Sequence, residues 1–308
     1  MNRILRYSIF LVPAALVLAF MPHVAARGQE VTKTIYFTAI DKDGKPVMDL
    51  KPEELAAAED GKIHPAISAK LATTPLSIVM LADTSAVVSG AGLDIRGTSA
   101  SAAGELIRDI RGAFSAFAKQ MLAANPKNEL ALMEFGQAAI MITDFTSNGE
   151  ELDKNINRLA SKPDAASVLL EALMESSKEL GKRSNARRAI VAINVMPDDE
   201  QSREPANNIM KEMAKDRATL FSVSLQKGDL RNAARGPLLD AFCDKTGGRH
   251  DTIVGQSALI GLLKQYGDLL SAQYELQYSR PIGAPAQLLQ MATRRTGLKF
   301  LASKFPPQ

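Results

Sequence analysis

The stretch from Leu76 to Thr84, LSIVMLADT, constrains the fold of this chain more than any other segment. It is apolar apart from Ser77 until it ends on Asp83 and a hydroxyl residue. A near-continuous apolar run of this length is typical of a strand buried on both faces, as in a parallel sheet. Because ligands of open α/β sheets bind beyond the carboxyl ends of such strands, Asp83 and Ser85 lie at a predicted ligand-binding position.

Strands alternating with amphipathic helices follow this run, which predicts βαβ units and a doubly wound, mostly parallel sheet. The segment 129–143, ELALMEFGQAAIMIT, is typical of a hairpin that turns near Gly136 and adds one antiparallel strand at an edge. The predicted strands are 76–83, 129–135, 138–143, 188–195 and 218–225.

The two ends of the chain carry a different pattern, of short strands separated by turns, which favours a small β domain built from both ends. The α/β domain is then inserted into it. The predicted division is a signal peptide at 1–26, the first part of the β domain at 31–73, the α/β domain at 75–273 and the closing strands at 274–305.

The first residues predict export. Arg3 and Arg6 precede an apolar stretch from about Ile9 to Met21, and small residues suited to cleavage lie near Ala26. We therefore expect a periplasmic or extracellular product with no stable membrane insertion after cleavage. The formal charge is only +3 and basic residues are interleaved with acids, which gives no support to nucleic-acid binding. With Cys243 as the sole cysteine, no internal disulfide can form.

The segment LADTS at 81–85 resembles the first strand of a von Willebrand factor type A domain, which ends in Asp-x-Ser-x-Ser. Segments in the same order along nearly the whole mature chain resemble the exported VWFA-related acidobacterial domain family. They include PVMDLKPEELAAAEDGK, MITDFTSNGEELDKNINRLA, ASVLLEAL, RRAIVAINV, TGGR at 246–249 and YELQYS.

This resemblance implies a metal-ion-dependent adhesion site, in which a partner's carboxylate completes the coordination of a divalent cation. Asp83 and Ser85 match its first motif, but the third position is Val87. The loop threonine corresponds to Ser167, and the fourth-strand aspartate falls at Val195. Since valine offers no lone pair, we expect the metal site to be degenerate.

We therefore predict a non-catalytic protein-binding module with no cofactor and a partner that the sequence does not name. Its ligand-binding face is predicted at Asp83, Ser85, Ser167, Asn194 and Asp198. One alternative is metal-dependent adhesion by weak divalent-cation binding at a site rebuilt with Asp198 or Asp199.

The other alternative is a hydrolase that uses Ser85 or Cys243 as nucleophile. The mature chain has only His64 and His250 to act as base, and their positions favour surface or loop histidines. Cys243 lies on an apolar helix face, which favours a buried packing residue.

Overall fold

A computed structural model describes residues 30–89, 100–196, 200–226, 235–283 and 286–307. The predicted signal peptide at 1–26 lies outside these residues. The strands are β1 (Glu30–Ile40), β2 (Leu55–Glu59), β3 (Lys62–Leu71), β4 (Leu76–Asp83), β5 (Glu129–Phe135), β6 (Ala139–Thr146), β7 (Arg187–Met196), β8 (Ala218–Gln226), β9 (Arg249–Ile253), β10 (Tyr274–Pro281), β11 (Leu289–Thr293) and β12 (Lys299–Ala302). The helices are α1 (Ala100–Ala124), α2 (Gly149–Ile156), α3 (Leu169–Gly181), α4 (Ala206–Asp216), α5 (Arg235–Thr246) and α6 (Leu259–Ser271).

The middle of the chain forms a six-stranded mixed sheet in the order β6-β5-β4-β7-β8-β9. All neighbouring pairs are parallel except β5 and β6, so the predicted antiparallel edge strand is confirmed. Every residue of β4 is buried, as its apolar run predicts. The central position of β4 brings Asp83, its last residue, next to the carboxyl ends of both β5 and β7.

Helices cover both faces of this sheet, which is the doubly wound arrangement. One core contains apolar side chains of α1, α2 and α6, and the other contains those of α3, α4 and α5. The helical stripe through Leu106, Ile110, Phe114 and Met121 points into the first core, as its spacing indicates. A β-strand that helices bury on both faces has apolar side chains at successive positions. This explains the composition of β4 and β7.

Both ends of the chain form a second, separate sheet, which has six strands in the order β11-β2-β3-β10-β1-β12. The pairs are antiparallel, and they join strands from the N-terminal segment to strands from the C-terminal segment. Its own core includes Phe37 stacked on Tyr274, with ring centroids 5.4 Å apart.

The two sheets are in close contact near β9. Gly247 has φ +81°, and a Cβ on it would lie 2.3 Å from the Ala302 carbonyl carbon of β12. A Cβ on Gly248 would lie 1.7 Å from the Leu220 oxygen of β8. The TGGR segment therefore requires both glycines, because the backbone of each sheet passes against one of them.

The structure departs from the sequence-based expectations in a few places. The strand predicted at 138–143 is observed at Ala139–Thr146. The polar strand β9 completes the sheet. In the parts of the chain that the structure describes, no helix is long and apolar enough to cross a membrane.

Candidate functional site

Asp83 is completely buried at the end of β4, and protein donors hold both of its carboxylate oxygens. Oδ1 accepts hydrogen bonds from the backbone N–H of Ser85 at 2.9 Å and from the Ser85 hydroxyl at 2.6 Å. Oδ2 accepts one from the backbone N–H of Val195 at 3.0 Å. The carboxylate therefore ties the first loop of the site to the end of β7.

Backbone hydrogen bonds fix the loops around Asp83. The N–H of Thr84 donates to the Phe135 oxygen, and the N–H of Ala86 donates to the Ala165 oxygen. The N–H of Lys162 donates to the Thr84 oxygen, so the loop before α3 is held against the loop after β4. The site is thus a rigid frame in which side chains cannot easily change partners.

An arginine that the sequence analysis did not select lies in this frame. Arg235, at the start of α5, is buried with a side chain only 1% exposed. Its Nη2 donates to the Ser167 hydroxyl at 2.6 Å, and its Nε donates to Glu200 Oε2 at 2.6 Å. The Ser167 oxygen, expected to be a metal ligand from the family resemblance, is therefore bonded to a guanidinium group.

Electrostatics link Arg235 to the buried carboxylate. Burial raises the pKa of Asp83, and the largest opposing influence is the charge of Arg235, followed by the bonds from Ser85 and Val195. Glu200 is held close by a bridge between its backbone and that of Ser167. A buried cation therefore lies between a buried carboxylate and one that is 15% exposed.

Asn194 points away from this frame, although it was predicted on the same face. Its Nδ2 donates to the Val223 oxygen at 3.0 Å and to the Ser222 hydroxyl at 3.2 Å, both on β8. Its Oδ1 accepts from the Ser224 hydroxyl at 3.0 Å. Asn194 thus joins β7 to β8.

The bond to Asn194 belongs to a second polar cluster, which has the residue types of a catalytic triad. Ser224 Oγ lies 2.8 Å from His250 Nε2, and His250 Nδ1 lies 2.7 Å from Asp240 Oδ1. However, Ser224 is completely buried, and its hydroxyl also lies 3.0 Å from Asn194 Oδ1. This geometry is that of a core network, because a nucleophile must be reachable by substrate.

The valines at the two predicted metal-ligand positions contact the apolar core. Val87 lies in a short 3₁₀ turn, Ala86–Ser89, and packs against the core that contains α1. The Val195 side chain is buried in the same core. Asp198 and Asp199 lie outside the described residues, so the structure gives no position for either rebuilt-site acid.

The oxygens that the structure describes do not fit a divalent cation. Magnesium needs near-octahedral oxygen ligands and typically one or two carboxylates. Here the carboxylate of Asp83 accepts N–H and O–H donors, and the Ser167 hydroxyl accepts from Arg235. Within the described ranges no group of three or more His, Cys, Asp or Glu side chains could hold a metal ion.

The candidate hydrolase residues are enclosed in the protein. The expectation that both histidines lie on the surface or in loops is wrong: His64 is a buried residue of β3, and the His250 side chain on β9 is only 4% exposed. Both point inward because strand residues alternate between faces. Cys243 is buried, as predicted, and burial raises its pKa well above the usual range.

Comparisons with known proteins support the fold of the parallel sheet. The family model described as von Willebrand factor type A domain matches residues 78–194. Proximal thread matrix protein 1 of the mussel byssus is similar at a TM-score of 0.53 and 8% identity, covering 69% of this chain and 50% of that chain. A von Willebrand factor type A protein of Catenulispora acidiphila is similar at a TM-score of 0.50 and 9% identity, covering 90% of this chain and 73% of that chain. This chain thus spans half the length of the mussel protein.

Comparison with curated protein sequences gave no match. At such low identities the structural similarities define the fold alone. The segment that matches the von Willebrand factor type A domain model contributes strands β4 to β7 of the doubly wound sheet, including its antiparallel edge strand. Such domains are typically non-catalytic modules of protein–protein interaction or adhesion.

Proposed function

We propose that this protein is an exported, non-catalytic protein-binding module whose adhesion site operates without a divalent cation. One observation carries the proposal: the Arg235 guanidinium donates to Ser167 at the place where the family resemblance puts a metal ligand. Its positive charge also opposes the rise in the pKa of Asp83 that burial causes.

A guanidinium group is suited to this replacement. It keeps its charge in proteins and has N–H donors in a fixed plane, so it can bond several oxygens at once. It delivers one positive charge in place of two, which suits a site that has lost an aspartate at Val195. The backbone N–H of Val195 supplies a further donor to Asp83. The site then needs no ion to balance its buried carboxylate.

The proposed binding face is the carboxyl end of the sheet, with the buried residues acting as its support. Asp83, Ser85, Ser167 and Asn194 are all at most 1% exposed, so a partner would touch the rim above them. Exposed side chains on that rim include Gln137, Asp164, Gln201 and Arg203. Asp198 remains a proposed member of the face.

The same proposal includes three further points. They are export, membership in the VWFA-related acidobacterial family, and insertion of the domain at 75–273 into a β domain formed by 31–73 and 274–305. The charged and apolar pattern of the first residues supports export. Pairing between strands of the two chain ends supports the β domain. Mass spectrometry of the exported product tests the first point: a mass without residues 1–26 supports export, and retention of these residues in the cytoplasm contradicts it.

Titration calorimetry with Mg²⁺, Mn²⁺ and Ca²⁺ tests the proposed function. We expect no saturable heat from the wild type and the same result from Asp83→Ala. A micromolar isotherm that Asp83→Ala abolishes would instead establish the alternative, a metal-dependent adhesion domain with a rebuilt site.

Labelling separates the binding module from the hydrolase alternative. Because burial raises the pKa of Cys243, little thiolate forms near neutral pH, and we expect a thiol reagent to modify it only after unfolding. Serine-directed phosphonate probes should leave Ser85 unlabelled, since its hydroxyl donates to buried Asp83. Stoichiometric labelling of either residue in the folded protein would support the hydrolase.

A further inference from the structure

A cleft lies at the opposite end of the parallel sheet from Asp83, where the two sheets meet. Arg187 and Arg188 at the start of β7 line it, together with Arg217 at the end of α4. Thr219 and Ser303 contribute hydroxyl groups, and Phe305 contributes an apolar wall. The cleft has a volume of about 70 Å³, compared with the roughly 10–15 Å³ that one water molecule needs on the same measure. None of the described residues that line it is acidic.

Arg187 brings a buried positive charge to this cleft without a carboxylate bonded to it. Its guanidinium donates to the Gln273 side-chain oxygen at 2.9 Å and to the backbone oxygens of Thr74 and Leu270 at 2.6 Å each. Burial lowers the pKa of Arg187 to about 10. These neutral acceptors hold the group in place, and the charges of Tyr36 and Glu275 raise its pKa against the effect of burial.

Arg188 and Arg217 form a like-charge pair beside it. Arg188 donates to the backbone oxygens of Asn185, Asp216 and Arg183. Burial lowers its pKa, and the neighbouring Arg217 charge lowers it further while Asp216 raises it. Arg217 is exposed, and its backbone is in the left-handed region at φ +54°. A residue in the left-handed region thus places its guanidinium group near that of Arg188, against their mutual repulsion.

The nearest carboxylates are engaged with other groups. Asp216 accepts from the Ser177 hydroxyl at 3.3 Å and packs so closely on Gly181 that a Cβ there would lie 2.4 Å from its Oδ1. Glu275 accepts from the Tyr36 hydroxyl at 3.3 Å and lies 3.6 Å from Lys70 Nζ. Neither residue lines the cleft.

We propose that this cleft binds a small organic oxyanion, a phosphate or carboxylate group with an apolar part, on Arg217 and Arg188. The charged group lies among the guanidinium groups and the hydroxyls of Thr219 and Ser303, and its apolar part lies against Phe305. Guanidinium groups favour such anions because their planar N–H donors match the oxygens in geometry and charge. This site is separate from the proposed metal-free binding face and does not depend on it.

Calorimetry of the full mature chain with phenyl phosphate, benzoate, inorganic phosphate and phenol tests the proposal. We expect saturable binding of phenyl phosphate or benzoate, weaker binding of inorganic phosphate and none of phenol. Preference for phenyl phosphate over benzoate, or the reverse, distinguishes the two oxyanions. Arg217→Gln should weaken binding at least about tenfold, and Arg217→Lys should weaken it less because the charge is kept.

Arg158→Gln is the matched control, since Arg158 is exposed and does not line the cleft. It should bind as the wild type does. Circular dichroism should confirm that Arg217→Gln is folded, as expected for an exposed side chain. Absence of saturable binding by any of the anions, equal binding by Arg217→Gln, or equal binding of phenol would each overturn the proposal.

Discussion

The two ends of the parallel sheet hold buried arginines in opposite electrostatic situations. At the carboxyl end, Arg235 is bonded to Glu200 and its charge acts on Asp83, so positive and negative groups alternate. At the amino end, Arg187 and Arg188 are bonded to neutral oxygens, and Arg217 adds a like charge. The comparison indicates that the first end is internally neutralised and rigid, whereas the second retains positive charge that an anion can neutralise.

The largest expected effect on stability is at the carboxyl end of the sheet, at Arg235. Arg235→Met should lower the free energy of unfolding by about 3–5 kcal/mol, because it leaves a buried carboxylate without its cation. Urea denaturation at neutral pH measures this loss. Arg203→Met, which changes an exposed arginine near the same site, should stay within about 0.5 kcal/mol of the wild type. If Arg235→Met were as stable as that control, the cation would have no structural role.

A smaller effect is expected in the neighbouring core network. Ser224→Ala removes the proton donor of Asn194 and a partner of His250, and should lower the free energy of unfolding by about 1–3 kcal/mol. Ser147→Ala at an exposed position is the control. Ester hydrolysis should be absent from both variants and from the wild type. A wild-type esterase activity that Ser224→Ala abolishes would make this cluster an active site.

The smallest expected effect on stability is at the cleft that Arg217 lines, where the substitution should stabilise the protein. Arg217→Gly should raise the free energy of unfolding by about 0.5–1 kcal/mol, because glycine adopts a left-handed backbone without strain and removes the repulsion with Arg188. Thermal denaturation in a low-salt buffer free of phosphate measures it. Gly297→Ala, at φ +76° with nothing within 4 Å of the added Cβ, should show the reverse backbone effect. A destabilised Arg217→Gly would mean that the cleft arginines are already neutralised.

The backbone of the α/β sheet could be predicted from sequence because burial on both faces leaves a continuous apolar run, as in β4 and β7. The edge strand β9, RHDTI, could not be recognised in this way since its side chains are polar and half-buried.

At the site, the sequence identified Asp83, Ser85 and Ser167 through a resemblance, but it did not identify Arg235. This arginine comes from a helix that begins well after Val195, and its long side chain reaches Ser167 and Glu200. No local pattern around Arg235 signals these contacts. The valine at position 195, where the resemblance implies an aspartate, was the available signal, because a buried carboxylate without a metal must be balanced in another way.

The most direct test of the arginine-for-metal replacement is a crystal structure of the mature protein grown with excess Mn²⁺, with anomalous diffraction collected for manganese. We expect density for the Arg235 guanidinium bonded to Ser167 and Glu200, and no anomalous peak beside Asp83. A strong manganese peak coordinated by Asp83, with Arg235 displaced from Ser167, would contradict the replacement.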